Sequence, residues 1–265
     1  MDKKSLELRK LMIEATLKSK RAHLSSAFSI AEIIRVLYHD ILKLNKKNIN
    51  SLSRNRFILS KGHGCLALYA ALFQKNFISK KLLLNFCTFD TSLPGHPEHG
   101  VPGVEASTGS LGHGLSIGIG LALSARILKK NFNVFVLLGD GELNEGSVWE
   151  GLMSAAHHKI KNLTIIIDKN NMQSYDFTKK VVNLDSLKKK FLSFNLDVIE
   201  INGHSIPELK KAFKLKNNTT KVIIANTVKG KGIKELESNS SWHHKSRLTD
   251  EEINFLTSSL KNKLK

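Results

Sequence analysis

Two short, unbroken apolar runs decide most of what this chain can become. Val134-Phe135-Val136-Leu137-Leu138 enters Gly139-Asp140-Gly141-Glu142, and Leu163-Thr164-Ile165-Ile166-Ile167 enters Asp168-Lys169-Asn170-Asn171. Runs of this length bounded by turn residues predict strands buried on both faces, which is the habit of parallel sheets. If the two lie side by side, Asp140 and Asn170 stand at carboxyl ends, where open α/β sheets bind ligands. One carboxylate and one amide oxygen leave octahedral positions for phosphate oxygens, a backbone carbonyl and water, a set suited to Mg²⁺. Either turn alone reads as a plain chain reversal. Their pairing on equivalent strand ends, with a helix between, favours a joint site.

A chain of 265 residues is long enough for a full core and suits one large domain over residues 1–265. The net charge of +18 raises nucleic-acid binding as a reading. The basic residues are mostly Lys, however, spread over amphipathic helices without aromatic interleaving. A solvated basic surface that attracts phosphorylated or acidic small molecules is the stronger reading. No apolar run is long enough to span a bilayer, and Met1-Asp2-Lys3-Lys4-Ser5 has no signal-peptide core, so the expected location is the cytoplasm. Cys65 and Cys87 are expected as free structural thiols.

Leu8, Leu11, Met12 and Ala15 follow helical spacing, and Ser29 with Glu32 reads as a capping box opening a second helix. Two helices are therefore expected before a strand at 56–60, followed by helices at 65–73 and 115–130. Beyond the second apolar run come a helix at 184–194, a strand at 197–201, and a helix opened by Ser205 and Glu208 with Pro207 in its first turn. Lys221-Val222-Ile223-Ile224-Ala225 is the last strand, and Thr249 with Glu252 caps a terminal helix; the tail from residue 261 to 265 is expected to fray. Strand alternating with helix predicts a doubly wound, mostly parallel α/β sheet flanked by helices.

Gly109-Ser110-Leu111-Gly112-His113-Gly114 precedes an apolar helix, so free backbone N–H groups there could approach a ligand. It lacks a strand directly before it and an acid about twenty residues on, which argues against dinucleotide binding, and no Walker lysine is present. Histidines occur in Arg21-Ala22-His23-Leu24-Ser25-Ser26, Ser60-Lys61-Gly62-His63-Gly64, Pro94-Gly95-His96-Pro97-Glu98 and Ser241-Trp242-His243-His244. An isolated histidine is more often structural than functional. Glycine and proline nearby predict loops, several after strands, so these four segments could converge above the sheet. None shows zinc spacing. His157-His158 reads as a mid-helix structural pair.

Together these segments resemble the thiamine diphosphate enzymes, whose motif opens with Gly-Asp-Gly and closes with an Asn-containing turn. Ser60-Lys61-Gly62-His63, Gly95-His96-Pro97, residues 107–112, Gly139-Asp140-Gly141-Glu142 with Glu145-Gly146, and residues 227–232 are similar, in order, to transketolase, more closely to the N-terminal half that some organisms make as a separate subunit. The resemblance implies that Asp140, Asn170 and the carbonyl of Met172 hold Mg²⁺ or Ca²⁺ against the diphosphate. It implies a cofactor site formed by His63, Gly109, Ser110, Leu111, Gly112, Gly139, Asp140, Gly141, Glu142 and Asn170. His23, His96 and His243 would face a sugar phosphate, and these histidines with His63, near neutral pKa, would move protons.

Glu145 would belong to a carboxylate relay between two cofactor sites; as a bare residue it also reads as an acid placed by a helix dipole. The resemblance further implies a transferase moving a two-carbon ketol unit from a ketose phosphate to an aldose phosphate. Its partner would be a separate C-terminal subunit carrying the pyrimidine-binding domain, in an α₂β₂ assembly. Two positions depart from the family: Ala22-His23-Leu24-Ser25 stands for Gly-His-Pro-Gly, and His113 for a usual glutamine. They motivate a second reading, ketol transfer to a specialised sugar in polysaccharide or secondary metabolism. A third is a noncatalytic binding or regulatory protein of the same fold.

Overall fold

Arg56–Leu59 (β1), Val134–Gly139 (β2), Leu163–Lys169 (β3), Asp197–Asn202 (β4) and Lys221–Asn226 (β5) form one five-stranded sheet of order β1-β2-β3-β5-β4. Every neighbouring pair is parallel. The computed structural model describes residues 1–89 and 91–262. All six residues of β2 are buried, which is why its sequence shows no polar alternation, whereas edge strand β4 is half exposed.

Alternate strand residues feed two separate cores, as a period of two requires. Phe57, Leu59, Phe135, Leu137 and Ile166 face one; Ile58, Val134, Val136, Leu138 and Ile165 face the other. The first core is closed by Lys3–Ser19 (α1), Leu24–Ser29 (α2), Ala31–Val36 (α3) and Cys65–Gln74 (α4), with the short Lys80–Leu84 (α5) beside them. The second is closed by His113–Ile127 (α6) and Gly146–His157 (α7). A side chain at Gly118 would meet Val136 Cγ2 at 2.3 Å, so glycine lets α6 press onto β2. Helices on both faces make the sheet doubly wound, as the alternation predicts.

Three helices and a π turn at Leu37–Ile41, rather than two helices, precede β1. The Ser29–Glu32 capping box does not form: α3 is capped at Ile30, and both side chains have other partners. Ser29 donates to Asp168 at 2.7 Å, and Glu32 accepts from Arg9 at 2.6 and 2.9 Å and meets His204 at 2.8 Å. A buried carboxylate gains more from a guanidinium fork than from one helix N–H.

After Thr178–Val181 (α8), helix Leu187–Ser193 (α9) starts later than expected because Ser186 caps it, accepting from Lys189 N at 3.4 Å. At Ile206–Lys214 (α10) only half of the box forms: Ser205 Oγ accepts from Glu208 N, but Glu208 accepts from Asn202 N. Thr249 and Glu252 make both bonds, at 3.1 and 3.2 Å, ahead of Asp250–Asn262 (α11). That helix continues through Asn262; residues 263–265 of the expected frayed tail lie outside the described residues. His157 ends α7 and His158 caps it, both exposed, so the pair is terminal rather than mid-helix. Both cysteines are free.

Arg9 and Glu32, at 0% and 3% side-chain exposure, bind α1 to α3. Burial raises the Glu32 carboxyl, but bonds from His204 and Arg9 and the Arg9 charge prevail and hold it at about 2, against an ordinary 4.5. Removing one partner of such a buried pair costs about 3–5 kcal/mol, so Glu32→Gln should lose that much in urea denaturation at neutral pH. Because the folded value lies below the unfolded one, the wild type's advantage should be complete above about pH 4.5 and shrink as pH falls toward about 2.

Candidate cofactor and sugar site

The register Gly139↔Asp168 brings Asp140 and Asn170 to neighbouring strand ends, and Asp140 N donates to the Asp168 carbonyl at 3.1 Å. Asp140 accepts from Gly141 N at 2.9 Å and Asn171 N at 2.6 Å. Asn170 Nδ2 donates to Asp168 Oδ2 at 2.9 Å, and its Oδ1 accepts from Met172 N at 3.0 Å. Since an ionised carboxylate only accepts, the amide nitrogen must face Asp168, which leaves Oδ1 on the Met172 side. Asp168 itself, fully buried, also receives Lys61 Nζ at 2.6 Å and the hydroxyls of Ser29 and Thr227.

Burial and then the Asp168 charge push the Asp140 carboxyl up to about 7. For Asp168, burial is outweighed by the Lys61 charge and by its hydrogen bonds, which hold it below the usual range. No ammonium or guanidinium pairs directly with Asp140 among the described residues, so a bound cation would give this buried acid a partner. The same residues contain no cluster of three or more His, Cys, Asp or Glu fit for a metal. The donors at hand are one carboxylate, an amide oxygen and the Met172 carbonyl, a hard oxygen set that fits Mg²⁺ or Ca²⁺.

The glycine loop is braced from below. Glu142, 2% exposed, accepts from the Ser60 hydroxyl, Gly112 N at 2.9 Å and Gly139 N at 3.1 Å. The expected free N–H of Gly112 is therefore committed to Glu142. Gly112 has φ +85°, and a Cβ there would lie 2.8 Å from Glu145 Cβ, so only glycine fits. Leu111 and Gly141 line the same cavity as Asp140, Asn170 and Met172, whereas Ser110 is exposed and Gly109 abuts the His96 ring. Glu145 is exposed at the N-terminus of α7 and makes no side-chain capping bond.

Two functional residues escape the sequence reading. Lys61 and Lys229 are 1% and 2% exposed and line the cavity floor. Lys229 Nζ donates to the Met172 carbonyl at 3.3 Å and contacts His243 Nδ1; burial and then the Lys61 charge push it down to about 7. Both lie inside segments already singled out, but in a lysine-rich chain each reads as one more solvated charge. Two buried ammonium groups beside a cation site favour a polyanion.

The four histidines do converge. The His23 ring lies 5.6 Å from His63, 5.9 Å from His96 and 5.9 Å from His243, and His63 lies 6.0 Å from His243. His244, next to His243 in the same segment, stacks on His23. His113 opens α6 and is exposed. The expectation of near-neutral histidines is corrected: burial and then His244 hold His23 down to about 3, and burial and then Lys229 do the same for His243. Burial lowers His63 and His96 as well. Burial first, and nearby positive charge after it, disfavours the protonated form of all four rings.

Residues 2–263 match the family model for the transketolase thiamine diphosphate binding domain. The chain is 38% identical to a protein of Phocaeicola vulgatus named as one subunit of apulose-4-phosphate transketolase, covering 89% of this chain and 85% of that one. The protein of the same name from Actinobacillus succinogenes is also 38% identical, with coverage of 95% and 92%. Among solved structures, transketolase from Leishmania mexicana matches with TM-score 0.89 at 28% identity, and that from Campylobacter jejuni with 0.87 at 30%. Each match covers 98% of this chain but only 41% and 43% of the solved one. By sequence and by fold the chain belongs to the transketolase family, as its thiamine diphosphate-binding domain.

Proposed function

We propose that the chain is the N-terminal subunit of a two-component transketolase that moves a two-carbon ketol unit from a ketose phosphate to an aldose phosphate. The observation behind this reading is the placement of Asp140, Asn170 and the Met172 carbonyl beside buried Lys61 and Lys229, under four neutral imidazoles. Asp140, Asn170 Oδ1 and the Met172 carbonyl would hold Mg²⁺ or Ca²⁺, with the lysines balancing diphosphate charge. Thiamine diphosphate, when bound, supplies the carbanion and electron sink. A separate C-terminal subunit with the pyrimidine-binding domain completes an α₂β₂ complex, with Glu145 at its relay. The proposed location is the cytoplasm; among the described residues no helix is long and apolar enough to cross a membrane.

The side chains act on the sugar. His243 Nδ1 accepts from Lys229 Nζ, so in the neutral ring Nε2 carries the proton and donates, to Ser174 Oγ at 3.1 Å or to a sugar hydroxyl in its place. His23, His63 and His96 likewise each offer one donor and one acceptor, enough to orient hydroxyls and to take a proton from the donor sugar. An anionic cofactor and substrate would raise the pKa of these imidazoles toward 7, where proton transfer is most effective.

A specialised sugar is the second reading, supported by the two relatives whose names carry apulose-4-phosphate. Product analysis with different acceptors separates the two. Strict activity on xylulose 5-phosphate and ribose 5-phosphate removes the second.

Asp140→Ala should weaken Mg²⁺-dependent thiamine diphosphate binding by about a hundredfold or more in calorimetry, because it deletes the one carboxylate ligand. Unchanged affinity would remove Asp140 from the site. The purified chain alone should not turn over xylulose 5-phosphate and ribose 5-phosphate, and adding the C-terminal subunit with Mg²⁺ should restore transfer that EDTA then abolishes. Turnover by the chain alone would sink the two-component reading.

A further inference from the structure

His244 stands outside the roles assigned above. Its ring centroid lies 4.4 Å from that of His23, with planes 29° apart, so the two stack face to face. His244 is exposed and His23 partly buried, so the imidazoles run from the cavity floor outward to solvent. This placement is not left to a loose loop. Ala22 and Lys245 exchange two backbone hydrogen bonds of 3.0 Å each, and Leu248 N donates to the Lys20 carbonyl at 2.8 Å. The bridge thus sits one residue from each ring of the stacked pair, and Lys245 is itself anchored over the Trp242 ring at 5.1 Å.

His244 is not among the residues that line the cavity of Asp140, Asn170 and Met172. Lys229 touches the Met172 carbonyl and the His243 ring, whereas the ring of the next residue, His244, stacks on His23. His244 therefore stands over His23 on the exposed side of the cluster, outside the cavity lined by Asp140, Asn170 and Met172.

We propose that His244 is a specificity-determining residue that forms the outer wall of the imidazole-lined pocket, buttresses the His23 ring by stacking, and limits which acceptor sugars that side admits. The proposal rests on the ketol-transfer reading above. A stacked ring confines the His23 imidazole to one orientation, and the edge of the His244 ring offers a donor and an acceptor to a hydroxyl at the rim. Removing it frees His23 and widens the outer side, while the cation oxygens and both buried lysines keep their surroundings.

The test uses the complex of the chain with its C-terminal subunit, xylulose 5-phosphate as donor, and glycolaldehyde, erythrose 4-phosphate and ribose 5-phosphate as acceptors of increasing length. For His244→Ala the acceptor KM should rise by about threefold to tenfold, unequally among the three, with kcat nearly unchanged. Thiamine diphosphate affinity should stay at its wild-type value. His244→Phe, which keeps a stacking ring but no ring nitrogen, should return the order of acceptor preference to that of the wild type. Wild-type KM values for all three acceptors in His244→Ala would overturn the proposal. So would a uniform fall in kcat, a loss of cofactor affinity, or a Phe variant indistinguishable from Ala. A wild-type complex with no ketol transfer to any acceptor would instead remove the underlying reading, and the wild-type control tells the two failures apart.

Discussion

The Lys61–Asp168 ion pair, 2.6 Å long with side chains 1% and 0% exposed, is the interaction on which the site depends. Taking two charges out of water costs several kcal/mol per ion, so such a pair persists only when the remaining lone pairs and protons are satisfied. Here they are. Asp168, next to last in β3, gathers Ser29 from α2, Lys61 from the turn after β1, Asn170 from the loop that follows β3 and Thr227 from the turn after β5. One carboxylate thereby ties four separate segments together at the carboxyl edge of the sheet. Its acceptor-only chemistry turns the Asn170 amide, and its negative charge helps push Asp140 up to about 7.

Positive charge dominates the rest of the cavity. Burial, and after it the Lys61 charge, lowers the proton affinity of His63 and Lys229, and burial and then the Lys229 charge do the same for His243. The result is a pocket of neutral rings at pH 7 that becomes better balanced when an anion enters. A polyphosphate with a divalent cation would answer both strains at once: the cation would partner Asp140, and the phosphates would partner the lysines. Exposed surface lysines contribute long-range attraction, but the local fit comes from the two buried ones.

Much of this was legible in the chain because β2 and β3 are buried on both faces and so carry unbroken apolar runs. Those runs fixed where Asp140 and Asn170 would stand. The glycines and prolines near His23, His63, His96 and His243 marked loops, but of the four only His63 directly follows a strand, and His23 and His96 sit on connections between helices. Local motifs misled where tertiary partners outbid them: Ser29 and Glu32 have the spacing of a capping box, yet Asp168 and Arg9 claim them. Lys61 and Lys229 were hidden among 41 basic residues, since nothing in spacing separates a buried lysine from a solvated one. The neutrality of the histidines is likewise a property of crowding that no linear pattern displays.

Where a cation binds is the central question, and anomalous diffraction from a crystal of the chain with Mn²⁺ and thiamine diphosphate reads that position directly. A single strong peak is expected at about 2.0–2.3 Å from an Asp140 carboxylate oxygen, Asn170 Oδ1 and the Met172 carbonyl, with diphosphate oxygens completing the shell. A peak elsewhere, or ordered cofactor with no metal between Asp140 and Asn170, would contradict this assignment of the site.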